Sequence, residues 1–276
     1  MTDLKNPNER TFWTELTQSV EESGKLLLST DFDGTLVDFT GVPSDTELPE
    51  NTEDLLNQLG GVDNLHLAVI SGRGFEELTE LVPIENATLA GNHGLKIRFE
   101  DGTTRNPEMG KKIKATITSL KREVRKNFGD LEGIIIEDKV FGLALHYRQY
   151  SGNEEEVEEG FYDIWENHRI PLLEVIEGAK LLEVRPARWN KGDAVQLLRE
   201  RFGKPPTLYI GDDTTDEDAF AALKEANSGF PILVSEKTRK ATEARYLLHN
   251  PKEVHRFLGD LYENFSGILS ALGDGP

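Results

Sequence analysis

With 276 residues, 37% of them hydrophobic, the chain has apolar material for one large domain or two modest ones with real cores. Lys and Arg number 31 against 50 Asp and Glu, a net charge of −19, which disfavours nucleic acid and anionic membrane surfaces and requires a local basic pocket for any anionic substrate. Cysteine is absent, which excludes disulfides, a thiolate nucleophile and cysteine metal sites.

Along the chain, "MTDLKNPNERTFWTEL" has neither the basic start nor the apolar core of a secretion signal. No apolar run approaches the ~18 residues of a membrane span, so a cytoplasmic protein is expected. "KLLLST" reads as a buried strand and runs straight into "DFDG". "TEDLLNQL" then reads as an amphipathic helix, and "HLAVI" as a second strand that ends in "SGRG". Residues 103–185 differ in character. "KKIKATITSLKREVRKNF" spaces Ile113, Ile117, Leu120, Val124 and Phe128 on one helix face, "GIIIEDK" and "FGLALHYR" read as strands, and "EEEVEEGFYDIWENH" as a helix with a solvated acidic side. "LLEVIEGAKLLEVR" reads as a hairpin with Gly178 at its turn. Helical "KGDAVQLLRERF" comes next, with Ala194, Val195, Leu197, Leu198 and Phe202 on its apolar face. A third strand, "TLYI", runs into "GDDTTDED", and "VHRFLGDLYENFSGILSAL" closes the chain as a helix.

Strands alternating with helices imply an α/β fold, a doubly wound and mostly parallel sheet, carrying an inserted α+β cap with an antiparallel sheet. The expected division is a core of residues 1–102 and 186–276 and a cap of residues 103–185, with hinges near 102 and 186. In such sheets ligands collect beyond the carboxyl ends of the strands, so Asp31, Ser71 and Asp212 should converge although they are far apart in sequence.

Asp31 and Asp33 lie two apart, so an extended chain aims both past the sheet edge with Phe32 turned away. One carboxylate can attack phosphorus to form an acyl phosphate, and the other can protonate the leaving oxygen and later deprotonate water. Two buried carboxylates beside a phosphate need a cation. Mg²⁺ fits, since it takes hard oxygen ligands from one or two carboxylates plus phosphate, and "GDDTTDED" offers more of them. Part of that cluster reads more simply as a helix start capped by Thr214 or Thr215, with Glu217 and Asp218 complementing the macrodipole, which leaves Asp212 and Asp213 unexplained. Ser71, Gly72 and Lys191 sit where hydroxyl, backbone N–H groups and a cation would meet phosphate oxygens. His66, His168, His249 and His255 show no metal-ligand spacing and read as surface or packed histidines.

The ordered set "DFDGTL", "ISGR", "NKG" and "GDDTTDED" resembles the haloacid dehalogenase superfamily of aspartate-nucleophile phosphatases, in its larger-cap branch. "LAGNHGLKI", "ALHYR", "GAKLLEVRP" and "GDDTTDEDAF" are similar, within it, to the trehalose-6-phosphate phosphatase family, and the resemblance spans roughly residues 25–235. It implies Asp31 as nucleophile and Asp33 as acid then base. It also implies Mg²⁺ held by the Asp31 carboxylate, the Asp33 backbone carbonyl and Asp212, with Asp216 binding it or orienting its water. Ser71 and Lys191 would hold the phosphoryl group. Arg73, Asn92 and His93 would border the pocket from the core, and His146, Arg148, Lys180, Glu183 and Arg185 would approach the sugar from the cap. Ordinary alternation on a half-buried strand also accounts for Glu183 and Arg185 in "LLEVR". Two positions depart from the family pattern: Asn92 stands where an acidic residue is frequent, and Trp189 where a smaller one is.

The activity implied is Mg²⁺-dependent hydrolysis of trehalose 6-phosphate to trehalose and phosphate through an aspartyl-phosphate, with functional coupling to a sugar-phosphate synthase. Two alternatives keep much of this pattern: a phosphatase for another compatible-solute sugar phosphate (glucosylglycerol, glucosylglycerate or sucrose phosphate), and a non-catalytic sugar-phosphate sensor. A receiver-type phosphoacceptor domain would lack the insert of about eighty residues and the second carboxylate, whose acid/base position favours turnover.

Overall fold

Residues 4–38, 46–105, 111–139, 141–187, 189–224, 226, 229–236 and 241–273 are described by the structure, a computed structural model. The chain forms two compact units, one of Met1–Asn106 with Asn190–Pro276 and one of Pro107–Trp189.

The first unit is built on a sheet of eight strands. These are β1 (Leu26–Thr30), β2 (Leu65–Ile70), β3 (Ala87–Gly91), β4 (Lys96–Arg98), β5 (Thr104–Arg105), β10 (Thr207–Gly211), β11 (Gly229–Val234) and β12 (Tyr246–Leu248), in the order β12-β11-β10-β1-β2-β3-β4-β5. Every pairing from β12 to β3 is parallel; β4 and β5 add antiparallel at one edge. All residues of β1 and β10 are buried, as expected of central strands covered on both faces. On one face, α1 (Arg10–Ser23), α2 (Glu50–Gly60), α3 (Phe75–Leu81) and α8 (Pro251–Gly273) bring Phe12, Leu56, Leu78 and Phe257 onto Leu26, Leu28, Leu208 and Ile210. The residues between these alternate to the other face, where Tyr209 meets Phe220 edge-on from α7 (Asp216–Lys224), beside α6 (Lys191–Phe202). On α6, Ala194, Val195, Leu198 and Phe202 are buried, whereas Leu197 is only partly buried; Arg199 is buried too and donates to Thr207 Oγ1 at 2.7 Å.

β1 continues to β2 and β3 on one side, and the chain returns with β10, β11 and β12 on the other. The strand order therefore reverses at β1, and the segments after β2, β1 and β10 leave three adjacent strands at the same sheet edge.

The second unit holds an antiparallel sheet of β6 (Ile135–Lys139), β7 (Gly142–His146), β9 (Leu181–Pro186) and β8 (Leu173–Gly178), in the order β6-β7-β9-β8. Helices α4 (Lys111–Phe128) and α5 (Glu154–His168) cover one face, with Ile117, Leu120, Val124, Phe161 and Trp165 packed on Leu143, Leu145, Leu182 and Val184. Gly178 is not the hairpin turn. It pairs with Leu181 as the last residue of β8, so the turn falls on Ala179 and Lys180, with Lys180 taking a left-handed φ of 63°.

The four histidines without ligand spacing have packing or capping partners. His66 stacks on Phe202 at 3.8 Å and meets Glu100, His168 meets Ile164 O and Ser119, His249 meets Glu253, and His255 meets Thr52. No helix among the described residues is long and apolar enough to cross a membrane.

Candidate active site

β1 ends at Thr30, and the Asp31 N–H still donates to Ile210 O at 2.8 Å, which ties the first aspartate to the end of β10. The chain then turns at once, with the N–H groups of Thr35, Leu36 and Val37 all directed at Phe32 O. Gly34 sits in this turn at φ 78°, and a Cβ there would overlap the Asp212 carboxylate. Without that Cβ, the loop after β10 can close against the loop after β1.

Asp31, Asp212 and Asp216 present carboxylate oxygens within 4.8 Å of one another. Lys191, the first residue of α6 and only 2% exposed, lies among them, its Nζ 2.9 Å from Asp31 Oδ1 and 2.8 Å from Asp216 Oδ1. Asp216 is fully buried and fully engaged. Its Oδ1 accepts from Lys191 and from the Tyr209 hydroxyl at 2.6 Å, and its Oδ2 accepts from the N–H groups of Asp212 and Asp213, both at 3.0 Å. A carboxylate so occupied orients its neighbours better than it binds a further group.

Burial pushes the Asp31 carboxyl well above the usual carboxylate range, with Lys191 pulling it down and Asp216, Asp212 and Asp213 adding to the rise. Burial likewise raises Asp216, to about 6, against the pull of Lys191. Lys191 is held well above its ordinary value because Asp216 and Asp31 outweigh the burial that opposes its charge. One ammonium thus serves several carboxylates, and the negative excess together with the all-oxygen donor set suits a hard divalent cation such as Mg²⁺.

Asp33 belongs to another pair. Its carboxylate is outside the acidic cluster and takes two hydrogen bonds from Arg73, Nε to Oδ2 at 2.7 Å and Nη2 to Oδ1 at 2.6 Å. Arg73 also reaches Thr46 Oγ1 and Glu77, and its guanidinium lies 5.5 Å from the Phe32 ring centre. Arg73, expected at the pocket border, is thus bound to the second aspartate instead of standing open.

Ser71 is buried, and its hydroxyl accepts from the Arg73 N–H at 3.1 Å. The turn after β3 is locked to this loop, Asn92 N–H donating to Arg73 O at 2.7 Å and His93 N–H to Ser71 O at 2.8 Å. The His93 ring packs where a Gly72 side chain would stand. The cap of α7 is Asp213, not Thr214 or Thr215: its Oδ1 accepts from the N–H groups of Thr215 at 2.7 Å and Asp216 at 3.2 Å. Asp213 is the better cap because its side chain precedes the turn by the right interval and competes with no strand bond.

In the second unit, the sheet face away from the helices carries charge. Register aligns Glu137 with Ala144 and Glu183, and Ile135 with His146 and Leu181. Lys139 meets Glu183 at 3.0 Å and Glu137 at 3.9 Å, His146 meets Glu137 at 3.0 Å, and Arg185 meets Glu174 at 2.9 Å. Burial works against the Glu137 charge, yet the His146 hydrogen bond and Lys139 hold its carboxyl below the usual range. Sequence reasoning missed Glu137 and Lys139, although their spacing of two in "GIIIEDK" was the available signal. Lys180 and Arg148 stand apart from this face. Lys180 pairs with Glu154 at the start of α5, and Arg148 donates to Ala179 O at the hairpin turn.

A family model described as trehalose-phosphatase matches residues 29–252, a range that contains Asp31, Asp33, Ser71, Lys191, Asp212 and Asp216. The chain belongs to the trehalose-phosphatase family. As a member of it, the chain is a phosphatase enzyme. It is 32% identical over 264 residues to a probable trehalose-phosphate phosphatase 2 of Oryza sativa subsp. japonica, covering 86% of this chain and 68% of that one. Trehalose-phosphate phosphatase B of Arabidopsis thaliana is 30% identical over 261 residues, covering 87% and 67%. Among solved structures, a trehalose-6-phosphate phosphatase of Aspergillus fumigatus aligns with TM-score 0.66 and 26% identity over 94% of this chain and 99% of its own. The C-terminal domain of the Candida albicans trehalose-6-phosphate phosphatase aligns with TM-score 0.78 over 95% and 99%, at 24% identity, and supports the haloacid dehalogenase-like fold.

Proposed function

We propose that this phosphatase hydrolyses trehalose 6-phosphate to trehalose and phosphate, with the first unit as catalytic core and the second as the cap that selects the sugar. The observation that carries the chemistry is Asp31 at the end of β1, bonded through one carboxylate oxygen to the buried Lys191. The other oxygen, Oδ2, attacks phosphorus; the bond from phosphorus to the sugar oxygen breaks, and Asp33 hands that oxygen a proton. Asp33 then takes a proton from water, whose oxygen attacks phosphorus and returns Asp31 as a free carboxylate with release of phosphate. Arg73 orients Asp33 through its two hydrogen bonds, one of which must loosen before either oxygen can donate a proton. Lys191 and Ser71 hold phosphoryl oxygens as charge moves onto them. Mg²⁺, held by Asp31, Asp212 and the Asp33 carbonyl with Asp216 behind them, would supply charge neutralisation for the incoming phosphate.

Sugar recognition is assigned to the charged sheet face of the cap, where Glu137, Lys139, His146, Glu183 and Arg185 offer both donors and acceptors to hydroxyls. Lys180 and Arg148 would act from the hairpin turn. The substrate is supplied by a glycosyl transfer onto a sugar phosphate, so the reading includes functional coupling to such a synthase.

Phosphate release from a panel of sugar phosphates, with Mg²⁺ and with chelator, tests this. The expected result is chelator-sensitive release with the highest kcat/KM on trehalose 6-phosphate. A far higher value on sucrose, glucosylglycerol or glucosylglycerate phosphate overturns the substrate, and no release from any overturns the mechanism. Glu183→Ala is expected to lower the ratio of kcat/KM for trehalose 6-phosphate over that for p-nitrophenyl phosphate by ~10-fold or more. An unchanged ratio with both values reduced would move Glu183 from recognition to stability.

A further inference from the structure

The middle of β10 carries a phenol buried against the acidic cluster. Tyr209 is fully buried, and its hydroxyl donates to Asp216 Oδ1 at 2.6 Å. Positions two apart on a strand share a face, so Tyr209 and Gly211 look toward the same side of the sheet. A Cβ on Gly211 would overlap the Asp216 carboxyl group, so the carboxylate lies over the glycine and reaches back along the strand to the phenol. The ring is held by Phe220, which meets it edge-on with centroids 5.9 Å apart. Burial and the Asp216 charge push the hydroxyl well above the usual tyrosine range, so it stays a donor. The same Oδ1 also takes Lys191 Nζ at 2.8 Å, and that ammonium stands 2.9 Å from Asp31 Oδ1. One carboxylate oxygen is thus shared by two donors, and one ammonium by two carboxylates. A phenol bonded to Oδ1 draws off part of its negative charge and so limits its pull on the ammonium.

We propose that Tyr209 is a positioning residue: by sharing Asp216 Oδ1, its hydroxyl keeps the Lys191 ammonium between Asp216 and Asp31, where it can hold a phosphoryl oxygen beside the nucleophile. The inference rests on the roles given above to Asp31 and Lys191, and it does not depend on which sugar is bound. Without the hydroxyl, Lys191 is the donor left to Oδ1 among the described residues. The ammonium is then drawn toward Asp216 and away from Asp31. Charge grows on the phosphoryl oxygens as the group is transferred, so a displaced ammonium is felt in the transition state more than in the bound substrate.

The test compares Tyr209→Phe with the wild-type full chain in Mg²⁺, at a temperature far below melting. Phenylalanine keeps the ring against Phe220 and removes the hydroxyl alone. On both trehalose 6-phosphate and p-nitrophenyl phosphate, kcat is expected to fall ~10-fold while KM stays within ~2-fold of wild type. Orthovanadate, which adopts the five-coordinate geometry of the transferring phosphoryl group, should inhibit the variant ~10-fold less tightly. The lost buried hydrogen bond also lowers Tm by a few degrees. A lower Tm with kcat and vanadate inhibition unchanged overturns the proposal, since the hydroxyl then serves stability alone. A loss confined to trehalose 6-phosphate overturns it too, because Lys191 meets the phosphoryl group that both substrates share. Lys191→Met and Asp31→Asn are assayed alongside. If they keep wild-type kcat, the catalytic reading itself fails; if they lose turnover while Tyr209→Phe does not, only the part given to Tyr209 is refuted.

Discussion

Asp31→Asn is expected to remove phosphate release by at least ~10³-fold while melting no lower than the wild type in the absence of Mg²⁺. The amide cannot serve as nucleophile, which accounts for the activity. The stability comes from the buried charge. Burial raises the Asp31 carboxyl, so its ionised form destabilises the fold at neutral pH, and that penalty is absent in the amide. Lys191 is not orphaned by the change, because Asp216 remains 2.8 Å away. Adding Mg²⁺ should raise the wild-type Tm and raise that of the variant less, since a ligand that binds the folded state stabilises it. A variant that melts well below the wild type without metal would mean that Asp31 is held by more than Lys191.

Lys191→Met is expected to act in the opposite sense. It removes the ammonium shared by Asp31 and Asp216 and leaves both carboxylates buried without it, a loss of ~3–5 kcal/mol. For a domain of this size that lowers Tm by roughly 10 °C. The deficit should depend on pH with a definite sign. Asp216 is already raised to about 6 with Lys191 present, and a carboxyl raised in the folded state costs stability as pH rises through that range. Acidification should therefore narrow the gap between variant and wild type, and adding Asp31→Asn should restore part of the loss. Melting curves from pH 5 to pH 8 check both points; a gap independent of pH would mean that the methionine damages packing instead of electrostatics.

The parts of this site that could be read from the sequence are those set by a strand and the residues just beyond its end. "KLLLST", "HLAVI" and "TLYI" are runs too apolar for a half-solvated strand, and each breaks abruptly at a small or acidic residue, so β1, β2 and β10 and the gathering of Asp31, Ser71 and Asp212 at one edge were legible. Partners within the site were not. Asp31 and Asp33 look equivalent by spacing, yet the chain stops being extended at Thr30, and one carboxylate goes to Lys191 while the other goes to Arg73. Asp213 was left unexplained because the cap was given to Thr214 or Thr215; an aspartate and a threonine both cap helices, and only the backbone path chooses between them. Lys180, assigned to the sugar by resemblance, lies on the two-residue turn and not on the strand face that carries Glu183 and Arg185, a placement that only the register of β8 and β9 makes visible. Glu137 and Lys139 were passed over for a related reason: "GIIIEDK" starts apolar, and its charged face becomes visible only once β7 and β9 supply His146 and Glu183 as neighbours.

The position of β1 in the sheet also governs the order in which the protein can be made. Leu27 pairs with His66 on one side and with Thr207 on the other, so the strand that leads into Asp31 gains its first neighbour early in synthesis and its second only after the whole Pro107–Trp189 unit has left the ribosome. Until then the nascent chain presents an open, apolar strand edge, the kind of surface that pairs with other chains. The same delay withholds Lys191, and Asp212 and Asp216 follow β10 itself, so no amino-terminal fragment ending before β10 holds the cluster of Asp31, Asp212 and Asp216. The carboxylate cluster and the second pairing of β1 are completed together, and a chain truncated before β10 is expected to lack activity and to aggregate.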